Sequence, residues 1–190
     1  MKNIVKSLGA GLLIAIGGTA FLSVDNKTIG ALLFSVGLYA ICVIKLNLFT
    51  GKVCYPNTFK DLMTILLFNM IASYGMGWAI YFMKPGLHQR AFDMCTVKLS
   101  EGLLVIPLGI LCNILIFVAV EGAFHLSYHL LILAVMAFIL CGFEHSIANA
   151  FYFGASGIIG WPVFRYLVLN VIGNAIGGLI CRKAREGNAL

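Results

Sequence analysis

Glu144 and His145 lie side by side in the octapeptide Gly142-Phe143-Glu144-His145-Ser146-Ile147-Ala148-Asn149, between the apolar runs 130–141 and 150–153. A carboxylate or an imidazole at membrane depth is costly unless it faces protein or water, so the pair marks a functional site. Imidazole titrates close to neutral pH, which suits His145 to exchange a proton with a weak acid. A second polar interruption, Lys45-Leu46-Asn47-Leu48-Phe49-Thr50-Gly51-Lys52, divides another apolar stretch. Thr50 and His145 are expected to hold equivalent places in two halves of the chain, with a hydroxyl that donates or accepts set opposite an imidazole. Together they can hold a small oxyanion or its conjugate acid. Glu144 would repel that anion, so it is expected to be structural, turned away from the pore to cap backbone amides or pair with a cation.

Membrane helices must position these residues. A chain that is 61% hydrophobic and 11% charged is not an ordinary soluble domain. Its net charge of +6 is scattered between apolar runs rather than gathered on a face that would suit nucleic acid. Segments 8–24, 28–54, 62–83, 102–120, 129–153 and 163–181 are each long enough to cross a bilayer. The polar stretches between them, including the longer 84–101, read as connections. Asn69 before Gly75 and Gly77 is echoed by Asn174 before Gly177 and Gly178. Three spans per half require the second half to be inverted. The expectation is an all-α integral membrane protein of six transmembrane helices, two inverted three-helix repeats at about 1–85 and 98–185 within one domain, 1–190. Helices two and five are broken, a transport architecture in which half-helix N-termini favour anions.

Other chemistry is poorly supported. The six cysteines show no ligand spacing. His125 and His129, four residues apart, would share a helical face but are too few to bind a metal. No cofactor is expected. The chain has no HExxH or GxSxG, so an enzyme is not expected either. A neutral-solute channel is the alternative, although paired Asn-Pro-Ala loops are missing. Lys45 either snorkels to an interface or raises the positive potential along the pore. Lys2, Lys6, Lys60, Arg182, Lys183 and Arg185 against Lys27, Lys84, Arg90, Lys98 and Arg165 favours termini on the cytoplasmic side of the cell membrane.

Leu48-Phe49-Thr50-Gly51 and the octapeptide resemble the two signature loops of the formate/nitrite transporter family of formate, nitrite and hydrosulfide channels. Gly109-Ile110-Leu111-Cys112-Asn113 and Gly173-Asn174-Ala175-Ile176-Gly177-Gly178 extend the likeness over nearly the whole chain. The resemblance implies a homopentamer of aquaporin-like protomers, each with its own pore, in which Thr50 and His145 face each other between two slits. It places Phe34 and Phe138 at the outer slit, and Leu38, Leu48 and Phe49 with Asn113 and Ile116 at the inner one. It also makes Lys98 a vestibule lysine that attracts anions, and Asn149 and Asn174 structural polar residues. Asn47 replaces the acidic residue usual before LFTG, Lys45 stands where glycine is common, and Ala150 and Gly154 replace methionine and proline.

Overall fold

The computed structural model describes residues 2–187. Its helices are α1 (Lys2–Leu22), α2 (Lys27–Ile44), α3 (Phe49–Lys52), α4 (Phe59–Met83), α5 (Pro85–Ser100), α6 (Val105–His125), α7 (Tyr128–Leu140), α8 (Ser146–Ser156) and α9 (Trp161–Gly187), with a 3-10 turn at Gly102–Leu104. Side-chain oxygens of Asn26, Thr58 and Ser127 cap α2, α4 and α7 by accepting backbone N–H groups of the first turn. Five helices (α1, α2, α4, α9 and α6 with the turn before it) are long and apolar enough to span a membrane.

Polarity is inverted relative to a water-soluble bundle. Thr50, Asn69, Asn113, Glu144, His145, Asn170 and Asn174 are buried, whereas Val36, Leu67, Ile71, Phe82 and Phe164 are exposed. That distribution suits a bilayer, where apolar surface needs no cover and polar groups must find partners inside. Helix association then depends on close packing. A Cβ on Gly173 or Gly177 of α9 would come within 2.5 Å of the Ile106 or Ile110 carbonyl oxygen in α6. On the other side of the bundle, a Cβ on Gly11 of α1 would collide with the Asn69 carbonyl of α4. These bare backbones bring α6 to α9 and α1 to α4 closely enough for Asn174 and Asn69 to reach across.

The two expected helix breaks fall at residues 45–48 and 141–145, while two other features differ from the sequence reading. Segment 28–54 is an 18-residue α2 followed by a four-residue α3, and segment 129–153 is split into α7 of 13 residues and α8 of 11. Stretch 84–101 is a helix rather than a loop: Pro85 occupies the first turn, where its missing N–H costs nothing, and Ala91 and Cys95 are buried. His125 ends α6 and His129 lies in α7 beyond a break at Leu126 and Ser127, so the two do not share a helical face.

Both broken helices end in the same C-terminal motif. Lys45 N–H donates to Cys42 O and Leu46 N–H to Ile41 O, as Gly142 N–H donates to Ile139 O and Phe143 N–H to Phe138 O. This motif needs a left-handed residue, supplied by Gly142 at φ 72° and by Lys45 at φ 58°. Lys45 is the non-glycine residue with positive φ among the described residues. Relieving its Cβ clash is worth about 1 kcal/mol, partly offset by the extra freedom of an unfolded glycine. Lys45→Gly is therefore expected to raise the midpoint of thermal unfolding in detergent. A lowered midpoint would show that the side chain contributes more than its backbone costs.

Candidate functional site

The two breaks are built from the same hydrogen bonds. Asn69 Oδ1 accepts Phe49 N–H (2.8 Å), while its Nδ2 donates to Asn47 O (2.9 Å) and to Ser7 O of α1 (2.7 Å). Asn174 Oδ1 accepts Ser146 N–H (2.9 Å), while its Nδ2 donates to Glu144 O and to Gly109 O of α6 (2.8 Å each). Each asparagine thus satisfies the first N–H of a short helix, which has no partner within that helix, and also bonds the carbonyl just before it. These bonds correct the equivalence expected from the sequence. Lys45 matches Gly142, Asn47 matches Glu144 and Phe49 matches Ser146, so Thr50 corresponds to Ile147, and His145 to Leu48. The threonine and histidine meet across the site without being counterparts.

Thr50 Oγ1 and His145 Nε2 lie 3.1 Å apart, both fully or almost fully buried. His145 caps α8: its Nδ1 accepts Ala148 N–H at 3.1 Å. With Nδ1 occupied as an acceptor, the neutral ring carries its hydrogen on Nε2 and donates to Thr50 Oγ1. The Thr50 hydroxyl hydrogen then has no acceptor among the described residues. Asn113 Nδ2 donates to Thr50 O (3.1 Å), and Ser73 Oγ donates to Ile147 O (2.7 Å), anchoring the two chains that meet here.

Cavities approach this pair from both ends. Asn47 N–H donates to Lys6 O, and Arg185 reaches Glu121, so the start of α1 and the ends of α2, α6 and α9 share one side, the terminal side. On the opposite, far side a cavity of about 560 Å³ is lined by Phe34, Phe138, Lys98, Glu144, Asn149 and His145, among others. Phe34 and Phe138 meet edge to face at 6.1 Å between centroids, and Phe138 stacks on His145 at 6.0 Å. On the terminal side a cavity of about 220 Å³ is lined by Leu38, Leu48, Gly51, Lys45 and Lys52, among others. Phe49, Asn113 and Ile116 are buried and lie outside that lining.

Lys98 is not a free cation. The α5 helix carries it over α8, where Nζ lies 2.5 and 2.6 Å from the two oxygens of Glu144. Glu144 does pair with a cation of a neighbouring helix, but it lines the far-side cavity instead of turning away from it. Asn149 Nδ2 donates both to Glu144 Oε2 (2.6 Å) and to Asn170 Oδ1 (2.7 Å), and Asn170 Nδ2 donates to Glu144 O (2.8 Å). Asn170 went unnoticed in the sequence although it stands one turn before Asn174. Among the described residues no group of three or more His, Cys, Asp or Glu could hold a metal.

An all-helical membrane bundle whose two interrupted helices meet at a buried hydroxyl–imidazole pair, with a cavity on either side, defines a helical membrane transport protein. The chain belongs to the formate/nitrite transporter family, whose profile matches residues 1–184. It is 24% identical over 208 aligned residues to the formate channel FocA of Haemophilus influenzae, covering 82% of this chain and 72% of that one. Its fold is that of a solved pentameric formate channel with formate bound, at a TM-score of 0.87 and 23% identity over 99% of this chain and 96% of that one. A solved ion channel of the same family matches equally well in shape, at 0.87 and 19% identity over 100% and 90% of the two chains.

Proposed function

We propose that this protein is a pore for small monovalent weak-acid anions, of the size and chemistry of formate, nitrite or hydrosulfide, and that His145 exchanges a proton with the passing substrate. The observation that carries this reading is the Thr50–His145 contact, a buried donor pair set between a far-side cavity lined by Phe34 and Phe138 and a terminal-side cavity lined by Leu38 and Leu48. The formate channels among the similar proteins support the substrate class. The pentameric neighbour supports a homopentamer. Matching hydrogen-bond brackets at the two breaks support a single domain of two inverted repeats. The cell membrane, with cytoplasmic termini, suits the basic residues of the terminal side.

Dehydrating an anion against Phe34 and Phe138 is expensive, whereas a neutral acid passes apolar walls at much lower cost. Proton exchange supplies that neutral form. Because Nδ1 accepts Ala148 N–H, His145 becomes doubly protonated only when the ring turns out of that bond and Nδ1 takes a proton from cavity water. The imidazolium then gives one proton to the anion, forming the neutral acid and restoring the neutral ring. The acid crosses and dissociates in the opposite cavity. Thr50, whose hydroxyl hydrogen is unclaimed, donates to the substrate oxygen or sulfur while this happens. Lys98 and Glu144 neutralise each other, so their role is to hold α5 against the start of α8 and to shape the far-side cavity.

Flux of formate, nitrite, hydrosulfide, acetate and chloride through one reconstituted sample tests the reading. Formate, nitrite and hydrosulfide should pass at least tenfold faster than chloride. Phe138→Ala should raise acetate relative to formate by about an order of magnitude, because one wall of the 6.1 Å aromatic contact is removed. Fast water or glycerol permeation without anion flux would instead favour a neutral-solute channel.

A further inference from the structure

The charges at the two ends of the path differ. The far-side cavity is lined by three carboxylates, Asp25, Glu101 and Glu144, and three cations, Lys27, Arg90 and Lys98. Two of those cations are held in ion pairs, Arg90 with Asp25 at 2.6 Å and Lys98 with Glu144. At the terminal mouth, Lys45 and Lys52 are the charged residues lining the smaller cavity, and among the described residues neither forms an ion pair. Among the described acids at that end, Glu121 is occupied by Tyr55 (2.6 Å), Arg185 (3.4 Å) and His125 (3.5 Å), Glu186 pairs with Arg182 (2.9 Å), Asp61 accepts the Thr58 hydroxyl (2.6 Å), and none of the three lines the smaller cavity.

A preference for basic residues on the cytoplasmic face would account for lysines in loops. It does not account for Lys45, which lines a cavity at the end of α2 and occupies a left-handed position that glycine would fill more cheaply. Lys45 is exposed and Lys52 half-buried at this mouth, and two cations with no carboxylate paired to them raise the local positive potential and with it the local concentration of anions. The cavity, at about 220 Å³, has room for a small anion with several waters.

We propose that Lys45 and Lys52 form a second anion site, separate from the Thr50–His145 pair, which takes a small monovalent anion such as a carboxylate or a halide at the terminal mouth. The far-side cavity, with balanced charge, has no equivalent. The site concentrates anions at the terminal mouth, and it rests on the pore reading only for its consequence in transport.

Binding is read without transport by ¹³C-methylating the lysines of the full chain in lipid nanodiscs and following their NMR signals. Lys45→Arg and Lys52→Arg assign two of the signals. Sodium formate, and separately sodium chloride, is titrated in at constant ionic strength against gluconate. The Lys45 and Lys52 signals should shift along one saturating curve, while those of Lys60 and Lys84 stay still. Lys45→Gln should raise the half-saturation concentration seen at Lys52 at least fivefold. Lys45→Gly, which relieves the backbone, should do the same in a protein at least as stable. Shifts that never saturate, that are shared by all lysines, or that are unchanged at Lys52 when Lys45 is replaced overturn the site. Saturable shifts in a protein that passes no formate would sink the pore reading and leave the site standing.

Discussion

Lys98→Met is expected to destabilise the protein by about 3–5 kcal/mol, because it leaves the Glu144 carboxylate buried without its cation. The pair is well shielded, with the Lys98 and Glu144 side chains only 13% and 2% exposed. Glu144→Gln should cost less than Lys98→Met, since a neutral amide is cheaper to bury and can still meet Asn149. Replacing both should recover much of the loss, as often happens when a buried ion pair is replaced as a unit. Thermal unfolding in detergent of the two single variants and the double variant gives the coupling. Strictly additive losses would mean that the two charges do not stabilise each other.

A second large effect is expected at the asparagine brackets. Asn174→Leu removes three hydrogen bonds at once and leaves Ser146 N–H, Gly109 O and Glu144 O without those partners. An orphaned buried polar group costs about 1–3 kcal/mol, so the loss should exceed that of an ordinary core substitution. Asn69→Leu should behave alike, since Phe49 N–H, Asn47 O and Ser7 O each lose the bond that Asn69 makes to them. Yield of folded protein by size exclusion and unfolding midpoint measure both. If either variant matched the native protein, that asparagine could not be what holds its break in place.

The two breaks were legible because polar residues in apolar runs are conspicuous, and Asn69 and Asn174 were visible as an echo. Their register was not. Aligning Thr50 with His145 treats two chemically prominent residues as counterparts, whereas the backbone aligns the left-handed caps Lys45 and Gly142 and the first helical residues Phe49 and Ser146. Only the hydrogen bonds made by each asparagine reveal which positions correspond. The α5 helix was hidden for a different reason: it is polar enough to read as a connection, and its few buried positions, Ala91 and Cys95, carry little hydropathy signal. Without that helix nothing brings Lys98 to Glu144, so a long-range ion pair read as a free vestibule lysine and a carboxylate turned away. Asn170 was missed because a single asparagine one turn from a more prominent one has no pattern of its own. Its role depends on the bend that presents Glu144 O to it.

Besides capping α8 through Nδ1 and meeting Thr50 through Nε2, His145 is proposed to exchange a proton with the substrate, and that step is open to a direct test. Formate uptake into proteoliposomes, recorded together with lumenal pH between pH 5 and 8, tests this directly. The native protein should pass formate faster as the pH falls, and each formate taken up should carry one proton with it, so that the lumen acidifies in proportion to the formate that enters. His145→Phe should lose at least tenfold in rate and lose that pH dependence. An unchanged pH profile in His145→Phe would remove the histidine from the mechanism.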